Sequence, residues 1–363
     1  MQIYTGSQAY SALKGNVAKD QARIPVKTEA HLFKNGGIFP RITPKFGLDS
    51  GAKIFTIGSC FARNIERVLV ELGFDVPVSR FALEGPEPEL PMPAPQILNE
   101  YNAGTILQRI ESVVGLFNYS PGMGVEETDK GYIDTFLHVA TLPIPLPRLL
   151  RRRERIAELY ADLLKSDVVI ITLGLVEAWY DRIQGCYLNK APSRAAVRGD
   201  DTRFELHTFD VDDVVSRMSR AIELISNAGV KNILLTVSPV PLEATFNPIG
   251  SVQANSYAKS VLRVAAGILV RKFPSVDYFP SYEIVTSFGS AAYIDDNIHV
   301  KEDVIAEVTR YMAECYMRDE PYVMNAPKFD IVNDQPSNLM KSEQSTVPSE
   351  RSLFGFLRRV GRR

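Results

Sequence analysis

Three cysteines in 363 residues, Cys60, Cys186 and Cys315, are too few and too widely spaced for a disulfide framework or a thiolate metal cluster. They fit reduced thiols in a reducing compartment, and neither a metal nor an organic cofactor is expected. An excess of charge of one sign is also missing. The 41 basic and 43 acidic side chains leave a net charge of −2, which argues against nucleic-acid binding through the surface as a whole. No apolar run approaches the roughly 20 residues that cross a bilayer. The opening Met1-Gln2-Ile3-Tyr4-Thr5-Gly6 lacks a basic stretch followed by an apolar core, so no secretory leader is read there. The expectation is a cytoplasmic protein. Histidine is scarce, at positions 31, 138, 207 and 299, and no internal repeat is visible.

What is present is a hydrophobic content of 45%, enough for a large core in one domain with extensions. Short apolar runs rich in β-branched residues occur at Ile54–Ile57, Val168–Leu173 and Ile233–Val237, with a weaker one at Val276–Phe279. Two follow helix-like segments, Arg153–Leu164 and Val214–Ser226, each closed by a breaker. Strands buried on both faces and alternating with helices are the pattern of a parallel sheet. The expected fold is therefore an open, doubly wound α/β domain whose ligands bind at the carboxyl ends of the strands. Ser59, Gly174 to Glu177 and Ser238 all fall just past such ends. The five prolines between Pro86 and Pro95 predict an extended surface loop over residues 82–97.

The run Lys53-Ile54-Phe55-Thr56-Ile57 ends in Gly58-Ser59-Cys60, after which Phe61, Ile65, Val68, Leu69 and Leu72 mark one face of a helix. A side chain at such a junction meets free backbone N–H groups and the positive end of the helix dipole, a suitable place for a nucleophile that forms an oxyanion. The competing reading of Ser59 is a simple helix N-cap. At the other end of the chain, Asp296 lies three residues before His299, close enough for a carboxylate to orient an imidazole base. His138 has Asp134 four residues before it, so spacing alone does not choose between them. His299 is favoured because it lies in a polar loop just before a helical pattern (Val304, Ile305, Val308, Tyr311, Met312).

Gly58-Ser59-Cys60-Phe61-Ala62 resembles the signature of the GSCFA family, a branch of the SGNH (GDSL-like) hydrolases. The resemblance continues through Tyr101-Asn102, Thr172 to Trp179, Ser238-Pro239-Val240-Pro241, Asn255 to Lys259, Tyr278 to Glu283 and Asp296 to His299. It implies a three-layer α/β/α fold with a mostly parallel sheet, Ser59 as nucleophile, and Asp296 and His299 closing the triad. The backbone N–H of Ser59 and of its neighbour would form part of the oxyanion hole. The SGNH pattern has Gly-x-Asn-Asp where this chain has Gly174-Leu175-Val176-Glu177, so Val176 stands in for the oxyanion asparagine and cannot donate. Asn102 and Asn255 are candidate replacements, with a helix cap or a turn as their other reading. Cys60 is either a low-pKa thiolate at a helix start or a small buried hydrophobe. Glu177 and Trp179 could hold a sugar ring, although a Trp is more often core.

The expected organisation is an N-terminal extension over 1–50 packing on the core, a hydrolase domain over 51–319 and a disordered basic tail over 320–363. Three functions remain open. The first is a serine esterase or O-acyltransferase acting on an O-acylated carbohydrate or other small ester. The second is an inactive hydrolase-like fold that binds carbohydrate or a partner. The third is weak contact with a membrane surface or protein through the tail. There Leu353, Phe356, Leu357 and Val360 form one helical stripe, with Arg358, Arg359, Arg362 and Arg363 away from it.

Overall fold

Four short, largely buried strands form the centre of the molecule: β1 (Ile54–Gly58), β2 (Val168–Leu173), β3 (Asn232–Val237) and β4 (Val276–Tyr278). They pair in the order β4-β3-β2-β1, all parallel. The computed structural model describes residues 3–18, 22–24, 33–83, 94–138 and 142–318. The basic C-terminal stripe and His31 lie outside these residues.

Successive strand residues face opposite ways, and the core divides accordingly. Ile54, Val168, Ile170 and Leu234 pack on one face with Phe61, Ile65 and Leu69 of helix α1 (Cys60–Glu71). Val304, Val308 and Met312 of helix α5 (Glu302–Tyr316) close that layer. Phe55, Ile57, Val169, Ile171 and Leu235 face the other way. There they meet α2 (Ala103–Val113), α3 (Val211–Asn227) and α4 (Ser251–Lys272) through Ile106, Ile110, Met218, Ile222, Leu262 and Leu269. The result is the expected three-layer α/β/α arrangement.

The winding reverses beside β1. After α1 the chain returns to the outer edge of β1, where Lys53 and Asp75 form a parallel bridge and Ile54 N donates to Asp75 O at 2.8 Å. This fifth strand is reduced to that single bridge. The chain then crosses to β2 on the other side. A crevice at the carboxyl ends of β1 and β2 is the usual ligand position for such a reversal.

Additions to the alternating series surround this core. Glu177–Asp181, Cys186–Leu188 and Phe204–Thr208 form a three-stranded antiparallel sheet, and Val125–Thr128 pairs with Gly131–Asp134. The helix expected over Arg153–Leu164 spans Leu146–Tyr160 instead, with Pro145 at its N-cap and Pro147 in its first turn, where a missing N–H costs little. Part of the Pro-rich loop expected over 82–97 is also different: Ala94–Leu98 is a 3-10 turn, and Ile97 and Leu98 are buried. Before the core, Leu48 bridges Met317 and Pro40 O accepts from Tyr311 Oη at 2.6 Å, so this segment lies along α5. Among the described residues no helix is long and apolar enough to cross a membrane.

Candidate active site

β1 delivers Ser59 to the reversal point through Gly58, whose φ of +137° is open to glycine and strained for any other residue. A Cβ at position 58 would also collide with the backbone carbonyl of Thr172 on β2. Gly58→Ala is therefore expected to destabilise the protein by about 2–5 kcal/mol. Urea denaturation would register this as a lower midpoint at unchanged slope.

Ser59 occupies the N-cap position of α1 with extended backbone (φ −68°, ψ 174°), yet its side chain caps nothing. The residue is 2% exposed, and Oγ has no hydrogen-bond partner among the described residues. Its amide is committed: Ser59 N donates to Thr172 O at 3.2 Å, extending the sheet by one rung. That amide is therefore not free for an oxyanion, contrary to the expectation that it forms part of the oxyanion hole. Cys60 and Phe61 supply the first N–H groups of α1 instead. Burial pushes the Cys60 thiol up, against a smaller opposing pull from the Lys259 charge. Cys60 is thus the opposite of an activated thiolate.

Gly174 lies against the serine. A Cβ built on it would stand 2.9 Å from Ser59 Cβ and 3.0 Å from Tyr101 O. The segment before α2 crosses this point, with Glu100 N donating to Gly58 O (2.8 Å) and Leu175 N to Tyr101 O (2.7 Å). Ser238, one rung along β3, donates its N–H to Leu173 O at 2.8 Å, and its Oγ accepts from Val240 N at 3.3 Å. Ser59, Gly174 and Ser238 thus share one end of the sheet.

Asp296 and His299 are joined to each other. His299 Nδ1 meets Asp296 Oδ2 at 2.5 Å, while Asp296 Oδ1 accepts from Ile298 N (2.8 Å) and His299 N (2.9 Å). The His299 hydrogen bond and the two amides hold the Asp296 carboxyl down to about 2. Asn297, at φ +57°, closes the turn, and a Tyr293–Val300 bridge forms its neck. Tyr293 Oη donates to Pro239 O at 3.1 Å, tying the turn to the residue that follows Ser238. The pair therefore sits at the same end of the sheet as Ser59, with the His299 ring largely exposed. No hydrogen bond joins it to Ser59 Oγ.

The other described histidines are engaged elsewhere. His138 Nδ1 contacts Asn189 O at 3.0 Å, and Asp134 is taken by a bidentate pair with Arg153. The His138 ring packs against Tyr101, 4.7 Å between centroids, and burial lowers its affinity for a proton. His207 bonds Tyr187 Oη and Glu205.

The remaining candidates hold backbone in place. Asn102 Oδ1 caps α2 by accepting from Thr105 N at 2.9 Å. Asn255 Oδ1 accepts from Leu242 N at 2.9 Å. Glu177 accepts from Thr245 Oγ1 and from Phe246 N (3.0 Å), and Trp179 meets the Phe246 ring edge-on at 5.0 Å. Glu177, Trp179 and Asn255 thus anchor the loop after β3. Val176 is 2% exposed and packs in the core. Lys259, at the end of the Asn255–Lys259 stretch, is a site residue that sequence reasoning misses. It is buried and donates to Gly174 O at 3.0 Å. The signal for it in the sequence is a lysine set among the apolar positions Ala254, Ala258, Val261 and Leu262.

A family model named the GSCFA family matches residues 53–311. The chain belongs to the GSCFA family. No curated protein matches this GSCFA chain. Among solved structures it is similar to a catalytic mutant of Axe2, an acetylxylan esterase from Geobacillus stearothermophilus. The identity is 12% over 76% of this chain and 100% of that one, with a TM-score of 0.29.

Proposed function

We propose that this GSCFA protein is a serine esterase or O-acyltransferase with Ser59 as nucleophile and the Asp296–His299 pair as its base. The observation that carries the reading is the Ser59 hydroxyl itself. It stands where a serine ordinarily caps a helix, yet it makes no cap, is buried and has no partner. A buried hydroxyl without a hydrogen bond is unfavourable and is retained most readily where it has another role.

His299 Nδ1 is held by Asp296, which leaves Nε2 to take the Ser59 proton as Oγ bonds to an ester carbonyl. The resulting oxyanion collapses, and the alcohol leaves with the proton from the imidazolium. Water, or a sugar hydroxyl in a transferase, then attacks the acyl-serine, giving its proton to Nε2, which passes it to Ser59 Oγ as the acyl–Oγ bond breaks and the acid or new ester leaves. Contact between His299 and Ser59 belongs to the substrate complex, since such hydrogen bonds often tighten only there. A hydroxyl closed from solvent favours a small acyl group, such as one carried by an O-acylated carbohydrate. A second reading, a binding protein with an unused triad, draws on Val176 in place of a donor.

Incubation with a small p-nitrophenyl phosphonate separates the two readings. The expected result is one covalent adduct, mapped by mass spectrometry to the peptide containing Ser59 and absent from Ser59→Ala. An unlabelled wild type would favour the binding protein, and an adduct on Cys60 would move the nucleophile by one residue.

A further inference from the structure

Lys259 lies on the buried side of α4, beside Ala258, Val261 and Leu262, and is itself 2% exposed. An ammonium taken out of water is costly unless a carboxylate compensates it. Among the described residues no carboxylate is paired with Lys259, and its one hydrogen bond runs to Gly174 O at 3.0 Å. Two of its three donor positions remain open.

That bond completes a clamp. Of the four polar groups in the two peptides flanking Gly174, three are held: Leu173 O by Ser238 N, Leu175 N by Tyr101 O, and Gly174 O by Lys259. The fourth, the Gly174 N–H, makes no hydrogen bond among the described residues, and Gly174 is the residue pressed against Ser59. Val176 meanwhile offers only a buried isopropyl group where a donor is missing.

We propose that Lys259 supplies what Val176 cannot, by pinning the Gly174 peptide so that its free N–H is held beside Ser59 and by placing an uncompensated positive charge near the developing oxyanion. The inference rests on the esterase reading of Ser59. Lys259 acts through Gly174 and is a positioning residue, with its charge acting across the site. Burial pulls its ammonium down to about 7, and the only opposing influence is the Cys60 thiol of α1. Around that thiol lie Arg63 of the same helix and Tyr101 of the crossing segment. Below about pH 7 the side chain is charged, and above it the charge is lost. The turnover rate should therefore fall as pH rises through neutrality.

The test measures p-nitrophenyl acetate hydrolysis from pH 5 to 9 for wild type, Lys259→Met and Lys259→Arg. Removing an oxyanion-site donor costs roughly 100-fold in kcat. Lys259→Met should lose about that much, with KM within about twofold and no fall above neutrality. Lys259→Arg, charged throughout, should recover part of kcat and also lack the fall. A Lys259→Met enzyme with wild-type kcat would overturn the inference and leave the esterase reading standing. Lost activity in both variants, with no falling limb in the wild type, would show a purely structural lysine and also overturn it. Should Lys259→Met fail to fold, the wild-type profile decides alone: no fall between pH 6 and 9 sinks the proposal. A wild type inert to both ester and phosphonate would remove the esterase reading, and this inference with it.

Discussion

Ser59→Ala should lower the turnover of p-nitrophenyl acetate by at least about 10⁴-fold while leaving the folded protein as stable as the wild type. The loss is large because no second nucleophile can stand in. Cys60, the nearest candidate, is held in its neutral thiol form by burial, and a thiol attacks only as thiolate. What survives in the variant is the contribution of binding and oxyanion donors, which in serine hydrolases exceeds water by only a few orders of magnitude. The expected stability follows from the same geometry. Ser59 Oγ caps no helix and bonds nothing, so its removal breaks no hydrogen bond and should change stability by less than about 0.5 kcal/mol. Thermal melts and rates on the same preparations check both halves. Retained activity in Ser59→Ala together with lost activity in Cys60→Ala would move the nucleophile to the thiol.

The separation of large catalytic effect from small structural effect could not be read from the sequence, where Ser59 as cap and Ser59 as nucleophile look alike. Only the backbone around α1 distinguishes them, because a cap requires a hydrogen bond that the structure does not make. The four central strands were legible because burial on both faces leaves continuous apolar runs, and β2 occupies the stretch expected. The antiparallel sheet over residues 177–208 was not. Its strands are three to five residues long and carry Glu177, Asp181, Glu205 and His207, so no apolar alternation marks them. The fifth strand at Asp75 left no trace because it is one bridge long. Lys259 escaped for a different reason: lysine is almost always solvated, and a lone one at an apolar helical position reads as noise until its neighbours are seen. Asn102 and Asn255 were legible as residue types, whereas whether each amide meets a substrate or its own backbone depended on turns that only the fold defines.

His299→Ala should cost about 10⁴-fold in kcat, and Asp296→Ala somewhat less, about 10³-fold, because losing the orienting carboxylate leaves a base in place. Asp295→Ala should be close to wild type: His299 Nδ1 meets Asp296 Oδ2, and the same carboxylate takes the two turn amides. Activity lost with Asp295 and kept without Asp296 would reverse that assignment. The pH dependence carries a further constraint. Asp296 is held down to about 2, chiefly by the His299 ring and then by the Ile298 and His299 amides, so it stays ionised across the range in which an esterase is assayed. Its titration lies below that range and cannot produce a limb there. A loss of rate on acidification above about pH 4 therefore belongs to a group other than Asp296, and an imidazole base is the expected one, since an imidazolium cannot accept a proton from Ser59. The wild-type rate should rise with pH on this limb, and the limb should be missing from the residual activity of His299→Ala. A wild-type rate flat between about pH 5 and 8 would mean that histidine is not the base.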